Sequence, residues 1–186
     1  MNLLPNLNIG ILSGWIYFLF YLLVFGIRML ACPEEVRKRL YDRSLWDKKT
    51  KIITVIGKIF SLINIIFILF GAMQIGSIEF IIGNILYLIG LTILIIAITN
   101  FRNAPLDKPI RNGLYKFSRN PQMVSIYIMF LGMALIIGSW INLLFLGISI
   151  ICAHFSILGE EKALKEQYGK SYLEYKEEIP RYFLFF

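Results

Sequence analysis

The chain has 186 residues, 58% hydrophobic and 17% charged, with a net charge of +7 and a mean hydropathy of +0.69. Its apolar residues come in long blocks, which excludes an ordinary soluble domain and points to a core shared with lipid. The positive balance is read as membrane orientation and contact with anionic headgroups, with no nucleic-acid partner.

Five apolar blocks, at residues 9–30, 52–75, 78–101, 123–138 and 141–158, are read as membrane spans. A span needs roughly 17–25 apolar residues, so the first three are comfortable and the last two short. The first block lacks a basic leader and a small-residue cleavage site, and is read as a retained anchor. Residues 33–51 read as an interfacial helix and turn, with Val36, Leu40 and Tyr41 toward lipid. The second and third spans form an antiparallel hairpin through a tight turn, with Glu79 solvated beside it. Residues 100–120 contain Pro105, Pro109, Asn112 and Gly113, which forbid a continuous helix. Long irregular loops of this kind are commonly functional. Cys32 and Cys152 are read as unpaired thiols.

The predicted fold class is therefore all-α, an integral membrane protein with five transmembrane helices and a C-terminal helical tail. All 19 Lys and Arg fall within residues 28–58, 102–119 and 162–181. With five crossings these stretches share one face, which the positive-inside rule makes cytoplasmic, leaving the N-terminus outside. One membrane domain is expected over 1–186: a three-span scaffold over 1–101 with its basic loop at 31–51, and a binding portion over 102–186.

The candidate chemistry lies at the inner mouth of the last hairpin. Asn120 is a preferred N-cap and Pro121 suits the first helical position, so a span should begin there. Its free N–H groups beside Arg119 can seat a carboxylate or phosphate. Glu160 and Glu161 follow the fifth block, where a carboxylate near lipid needs a cation or hydrogen-bond donors. Arg119 and Lys116 are candidate partners, as are the ammonium or hydroxyl groups of a small zwitterionic ligand. His154, alone of its kind, makes no metal site and suits a hydrogen bond across the bundle, with a cofactor contact as the second reading. Gly132, and Ser149 with Ala153, allow close helix approach, with exposure of backbone to a ligand as the alternative. In the tail, a first helix ends at Gly169 and Ser171-x-x-Glu174 reads as a capping box for a second. Leu164, Tyr168, Tyr172, Tyr175 and Ile179 form one stripe, lying on the membrane or folding back over the Arg119 loop. Residues 182–186 read as an aromatic interfacial anchor.

Gly113-x-Tyr115-x-x-x-Arg119-Asn120-Pro121, Leu131-Gly132-x-Ala134-Leu135, Glu160-Glu161-x-x-Leu164-x-x-x-Tyr168-Gly169-x-x-Tyr172-x-x-Tyr175 and Pro180-Arg181 resemble the isoprenylcysteine carboxyl methyltransferase and phospholipid methyltransferase superfamily. The resemblance covers about the last 70 residues. It implies a membrane enzyme using S-adenosylmethionine, held by the last two spans and the tail. The implied pocket comprises Arg119, Asn120, Pro121, Glu160 and Glu161, with Tyr115 and Gly132 nearby. Met123 and His154 complete the candidate set, since Met and aromatic groups can pack the adenine and sulfonium. Two departures stand out: Asn120 replaces a His, and Gln122-Met123 stands where Met-Tyr is usual. No catalytic residue is named. The expected activity is methyl transfer to a lipophilic acceptor, isoprenylcysteine carboxyl methyltransferase-like, with the active site facing the cytoplasm. A phospholipid N-methyltransferase of the phosphatidylethanolamine type is the alternative. A non-catalytic membrane scaffold or transporter subunit is the rival class. The acceptor's chemistry and the oligomeric state are left open.

Overall fold

The computed structural model describes residues 1–8 and 10–183, so Ile9 and the last three residues of the expected aromatic anchor lie outside it. The described residues are all-α: α1 (Trp15–Leu30), α2 (Glu34–Tyr41), α3 (Lys48–Phe70), α4 (Ile78–Arg102), α5 (Pro121–Ile137), α6 (Trp140–Tyr168) and α7 (Lys170–Glu178). A 3₁₀ turn occupies Gly113–Lys116.

Among the described residues, three helices, α3, α4 and α6, are long and apolar enough to cross a membrane. This corrects the expected five transmembrane helices, and the N-terminus-outside orientation that rested on five crossings falls with it. The reason is length. α1 has 16 residues and α5 has 17, about 24 and 26 Å at 1.5 Å per residue, against roughly 30 Å of hydrocarbon. The first block loses its opening residues to a segment laced over the helix turns. Gly14 donates to the Gly71 carbonyl at 3.0 Å and Met73 to that of Leu12 at 2.9 Å. Asn2 likewise donates to Gly138 at 2.8 Å. The fifth block, conversely, extends. Glu, Lys, Ala and Leu are strong helix formers, and α6 runs unbroken through Glu160 and Glu161 for 29 residues.

The helices associate as two antiparallel pairs, α4 along α5 and α3 along α6. α3 and α4, predicted to pack as a hairpin, are joined by a short turn but lie on different partners. Glycine decides the α4–α5 seam. A Cβ at Gly132 would stand 2.6 Å from the Gly83 carbonyl oxygen, and one at Gly90 2.8 Å from that of Ser125. In the α3–α6 seam, Phe67 stacks on Phe145 at 5.9 Å and the Thr54 and Ser156 hydroxyls share a hydrogen bond of 2.8 Å. α1 crosses beside α3 and α4, with Tyr17 edge-on to Tyr87 at 5.0 Å.

α2 does not lie on lipid as the sequence suggested. Val36 is buried against Phe101, Ala104, Ile110 and Tyr115, with Leu40 packed alongside. Tyr41 stays exposed. The irregular loop after α4 is held by Asn100, whose Oδ1 accepts the Leu114 N–H at 2.9 Å. Gly113 there has φ +53°, and any Cβ would collide with the Asn100 amide. At the tail, Gly169 ends α6 as predicted, but it also caps α7, and no side-chain capping bond forms. Ser171 therefore sits inside the first turn of α7, and the expected capping box is absent.

Gly132→Ala should push α4 from α5 at a cost of about 1–3 kcal/mol, read as a lower melting temperature in detergent. Gly147→Ala, whose Cβ would meet open space, should match the parent. Equal melting of both variants would refute the close-approach account.

Candidate functional site

Between the two helix pairs lies a cavity of about 1750 Å³, walled by α1, α3, α5 and α6 and roofed by α2, the loop after it and the tail. Pockets for small ligands usually occupy about 300–1,000 Å³, so this one has room for two molecules side by side. One wall is apolar and aromatic, including Phe25, Met29, Ile126, Phe130 and Leu146. The other carries a polar stripe along α3, formed by Thr54, Lys58, Ser61 and Asn64.

The tail closes the polar end by folding back over the loop that carries Arg119, which decides between the two readings of the aromatic stripe. The Arg119 N–H donates to the Pro180 carbonyl at 3.0 Å. The Ser118 hydroxyl donates to that of Arg181 at 3.1 Å. Tyr175 Oη reaches the Tyr115 carbonyl at 3.0 Å. At the centre is Glu161, 5% exposed. Arg119 Nη2 donates to its Oε1 at 2.8 Å. Arg181 donates through Nε to Oε1 at 2.8 Å and through Nη2 to Oε2 at 3.0 Å. Lys176 Nζ lies 3.6 Å from Oε2. Arg119 also donates to the carbonyls of Lys176 at 2.7 Å and Ile179 at 2.8 Å. The hydrogen bonds to Glu161 push the Arg181 guanidinium pKa up. Burial raises the phenol pKa values of Tyr115, Tyr172 and Tyr175, keeping these rings neutral.

Adjacent residues on a helix point about 100° apart, so Glu160 takes a different course from Glu161. It lines the main cavity, and with Asn120 it also lines a small void of about 50 Å³ under α7. Protein surrounds Glu160, yet its surface is open, because that surface faces the cavity. Among the described residues it has no ion-pair partner. Arg39 and Arg43, from α2 and the loop after it, are the cations whose fields reach it.

Of the predicted site residues, Tyr115, Arg119, Asn120, Met123 and Glu160 line the cavity. Tyr115 accepts a hydrogen bond from Gln122 Nε2 at 2.9 Å. Asn120 caps α5 by position but makes no side-chain cap; its Nδ2 donates to the Arg181 carbonyl at 3.3 Å. Pro121 is buried at the start of α5, Glu161 sits in the ion-pair cluster with Arg119 and Arg181 that clips the tail to the Arg119 loop, and Lys116 is exposed. Gly132 faces α4 rather than the cavity. His154 Nδ1 lies 3.0 Å from Tyr182 Oη, away from the cavity wall. The sequence reading passed over the roof. Arg39 donates to the Lys108 carbonyl at 3.4 Å and lies over the Tyr168 ring at 5.2 Å, while Arg43 lies over Trp46. It also passed over Lys58, although a lysine inside an apolar block was signal enough. Among the described residues no His, Cys, Asp and Glu group is arranged to hold a metal.

The profile of the phospholipid methyltransferase family matches residues 52–171, well over half of the chain. The chain belongs to the phospholipid methyltransferase family. The match runs from α3 to the start of α7 and so takes in both helix pairs, the Arg119 loop and the two glutamates. Comparison with curated proteins gave no match, and neither did comparison with solved structures. The protein is thus a membrane-embedded methyltransferase with a lipophilic acceptor, which displaces the scaffold and transporter readings. Family membership makes S-adenosylmethionine the expected methyl donor. It favours the phospholipid alternative over the isoprenylcysteine-like activity.

Removing one member of a buried ion pair costs about 3–5 kcal/mol. Arg119→Met should therefore lower the melting temperature steeply and loosen the tail, seen as faster proteolysis after α6. An Arg119→Met protein with parental melting and proteolysis would show that the clip is not structural.

Proposed function

We propose that the protein transfers methyl groups from S-adenosylmethionine to the amine of a phosphatidylethanolamine-type phospholipid, within the cavity between its helix pairs. The observation that carries this reading is Glu160, an unpaired carboxylate on the wall of a cavity otherwise lined largely by apolar and aromatic groups. A carboxylate in such surroundings calls for a cation or hydrogen-bond donors.

The residues present fit the donor. Glu160 suits its ammonium or ribose hydroxyls, Asn120 offers an amide, and Tyr115 and Met123 offer surfaces for the adenine and the positive sulfur. Bound S-adenosylmethionine supplies an electrophilic methyl group. The chain's own work is alignment and exclusion of water, with α2, the loop after it and the tail closing the polar end. An amine acceptor gives up a proton on methylation, and Glu160, Asp42, Glu34 and Glu35 are carboxylates on the cavity lining that can take it. Arg119, at the edge of this surface, and Glu161 behind it hold the tail in place. The two ligands take different walls, the donor near Glu160 and the acyl chains along Phe130, Ile126 and Leu146. Lys and Arg concentrate at the end of the bundle where α2, the loop after α4 and the tail meet, which favours a cytoplasmic mouth by the positive-inside rule.

Calorimetry of the purified protein should show saturable binding of S-adenosylhomocysteine at roughly −7 to −8 kcal/mol. Glu160→Gln should weaken it at least about tenfold, or 1.4 kcal/mol. Label from a tritiated methyl donor should enter an alkali-stable lipid fraction. Label released by alkali as methanol would mark a carboxyl acceptor and overturn the phospholipid reading. Absence of saturable heat would remove the donor site altogether.

A further inference from the structure

Lys58 is a charge set deep in a membrane span. It lies seven residues after Lys51, the last lysine of the helix's first turn, about 10 Å along α3 at 1.5 Å per residue, and no other charged residue follows Lys51 in the helix. Among the described residues it has no ion-pair or hydrogen-bond partner. It lines the cavity together with Ser61, one turn further along the same face. An ionisable group inside a span marks a binding function unless it is paired, and Lys58 is unpaired.

The helix register shows what distance this charge spans. The hydrogen bond between Thr54 and Ser156 sets those two residues at one level. Glu160 lies one turn from Ser156 toward the mouth, and Lys58 one turn from Thr54 away from it. Their backbones are thus about 12 Å apart along the axis. Side chains lean toward the N-terminus of their own helix. Because α3 and α6 are antiparallel, this tendency tilts Lys58 toward the mouth and Glu160 away from it, across the cavity that both line. That axial separation leaves room between the two residues for an aminoalkyl phosphodiester, whose ammonium and phosphate are joined by a short link. Beyond Lys58 the apolar wall continues with Phe130 and Leu146. A phospholipid in its own leaflet presents amine, phosphate and acyl chain in that order along the same axis.

We infer that Lys58, assisted by Ser61, binds the phosphodiester of the acceptor lipid and so sets the depth at which its amine meets the donor seated by Glu160. Lys58 is then the residue that separates phospholipid amines from other lipophilic amines. The inference rests on the proposed phospholipid activity and assigns that activity's headgroup determinant.

The test compares wild type, Lys58→Gln and Lys58→Arg on two acceptors in detergent micelles: dioleoyl phosphatidylethanolamine, and oleylamine, which has no phosphate. Lys58→Gln should lose at least about tenfold in kcat/KM on the phospholipid, mainly through KM. It should change less than about threefold on oleylamine, and Lys58→Arg should recover most of the loss. S-adenosylhomocysteine affinity should stay within about twofold of wild type, which also certifies folding. Wild-type methylation of the phospholipid with no loss in Lys58→Gln would overturn this inference alone. Equal losses on both acceptors, or a large loss of S-adenosylhomocysteine affinity, would assign Lys58 to the donor and overturn it as well. No transfer to the phospholipid by wild type would overturn the function and, with it, this assignment.

Discussion

The burial of one carboxylate organises the functional end of this molecule. Glu161 sits out of water at the end of a membrane helix, where an unpaired charge would be intolerable. Arg119 and Arg181 meet both of its oxygens, and Arg119 Nη1 donates to two tail carbonyls. One cation comes from the loop before α5 and the other from the end of the tail. The charge therefore cannot be satisfied unless the chain folds back on itself. That fold-back covers the polar end of the cavity and carries Tyr172 and Tyr175 into burial.

The same geometry explains the division of labour between neighbouring glutamates. A helix turns about 100° per residue, so when Glu161 is committed to the clip, Glu160 must face another direction. That direction is the cavity. One carboxylate is consumed in holding the architecture while its neighbour is left with an open demand for a cation. The function proposed above grows from that contrast, since among α1, α3, α5 and α6, the helices that wall the cavity, Glu160 is the acidic residue on its lining.

The cavity exists because of how the spans choose partners. α3 and α4 are consecutive and joined by a short turn, yet each packs closely on another helix. Glycines 83, 90 and 132 bring α4 and α5 to backbone contact. Aromatic stacking and a hydroxyl pair seat α3 on α6. With both strong seams used up, the space between the pairs stays open for ligands, bounded by α1 on one side and by α2 and the tail at one end.

Much of this was legible in the residues alone. Block-wise hydrophobicity marks a helical membrane protein, breakers mark the loop after α4, and the spaced motifs from Gly113 to Arg181 mark the methyltransferase superfamily. Those properties are local, set by short-range propensity and spacing. What needed the folded chain was everything that depends on which surface meets which. Length in the sequence did not tell that residues 10–14 would be laced over the helix turns, nor that α6 would run on past Leu158. Nor could adjacency in the chain reveal that Arg119 pairs with Glu161, that Gly132 and His154 face away from the cavity, or that Lys58 faces into it. Those outcomes follow from side-chain direction and from partners some forty to a hundred positions away in the chain, and only packing in three dimensions sets them.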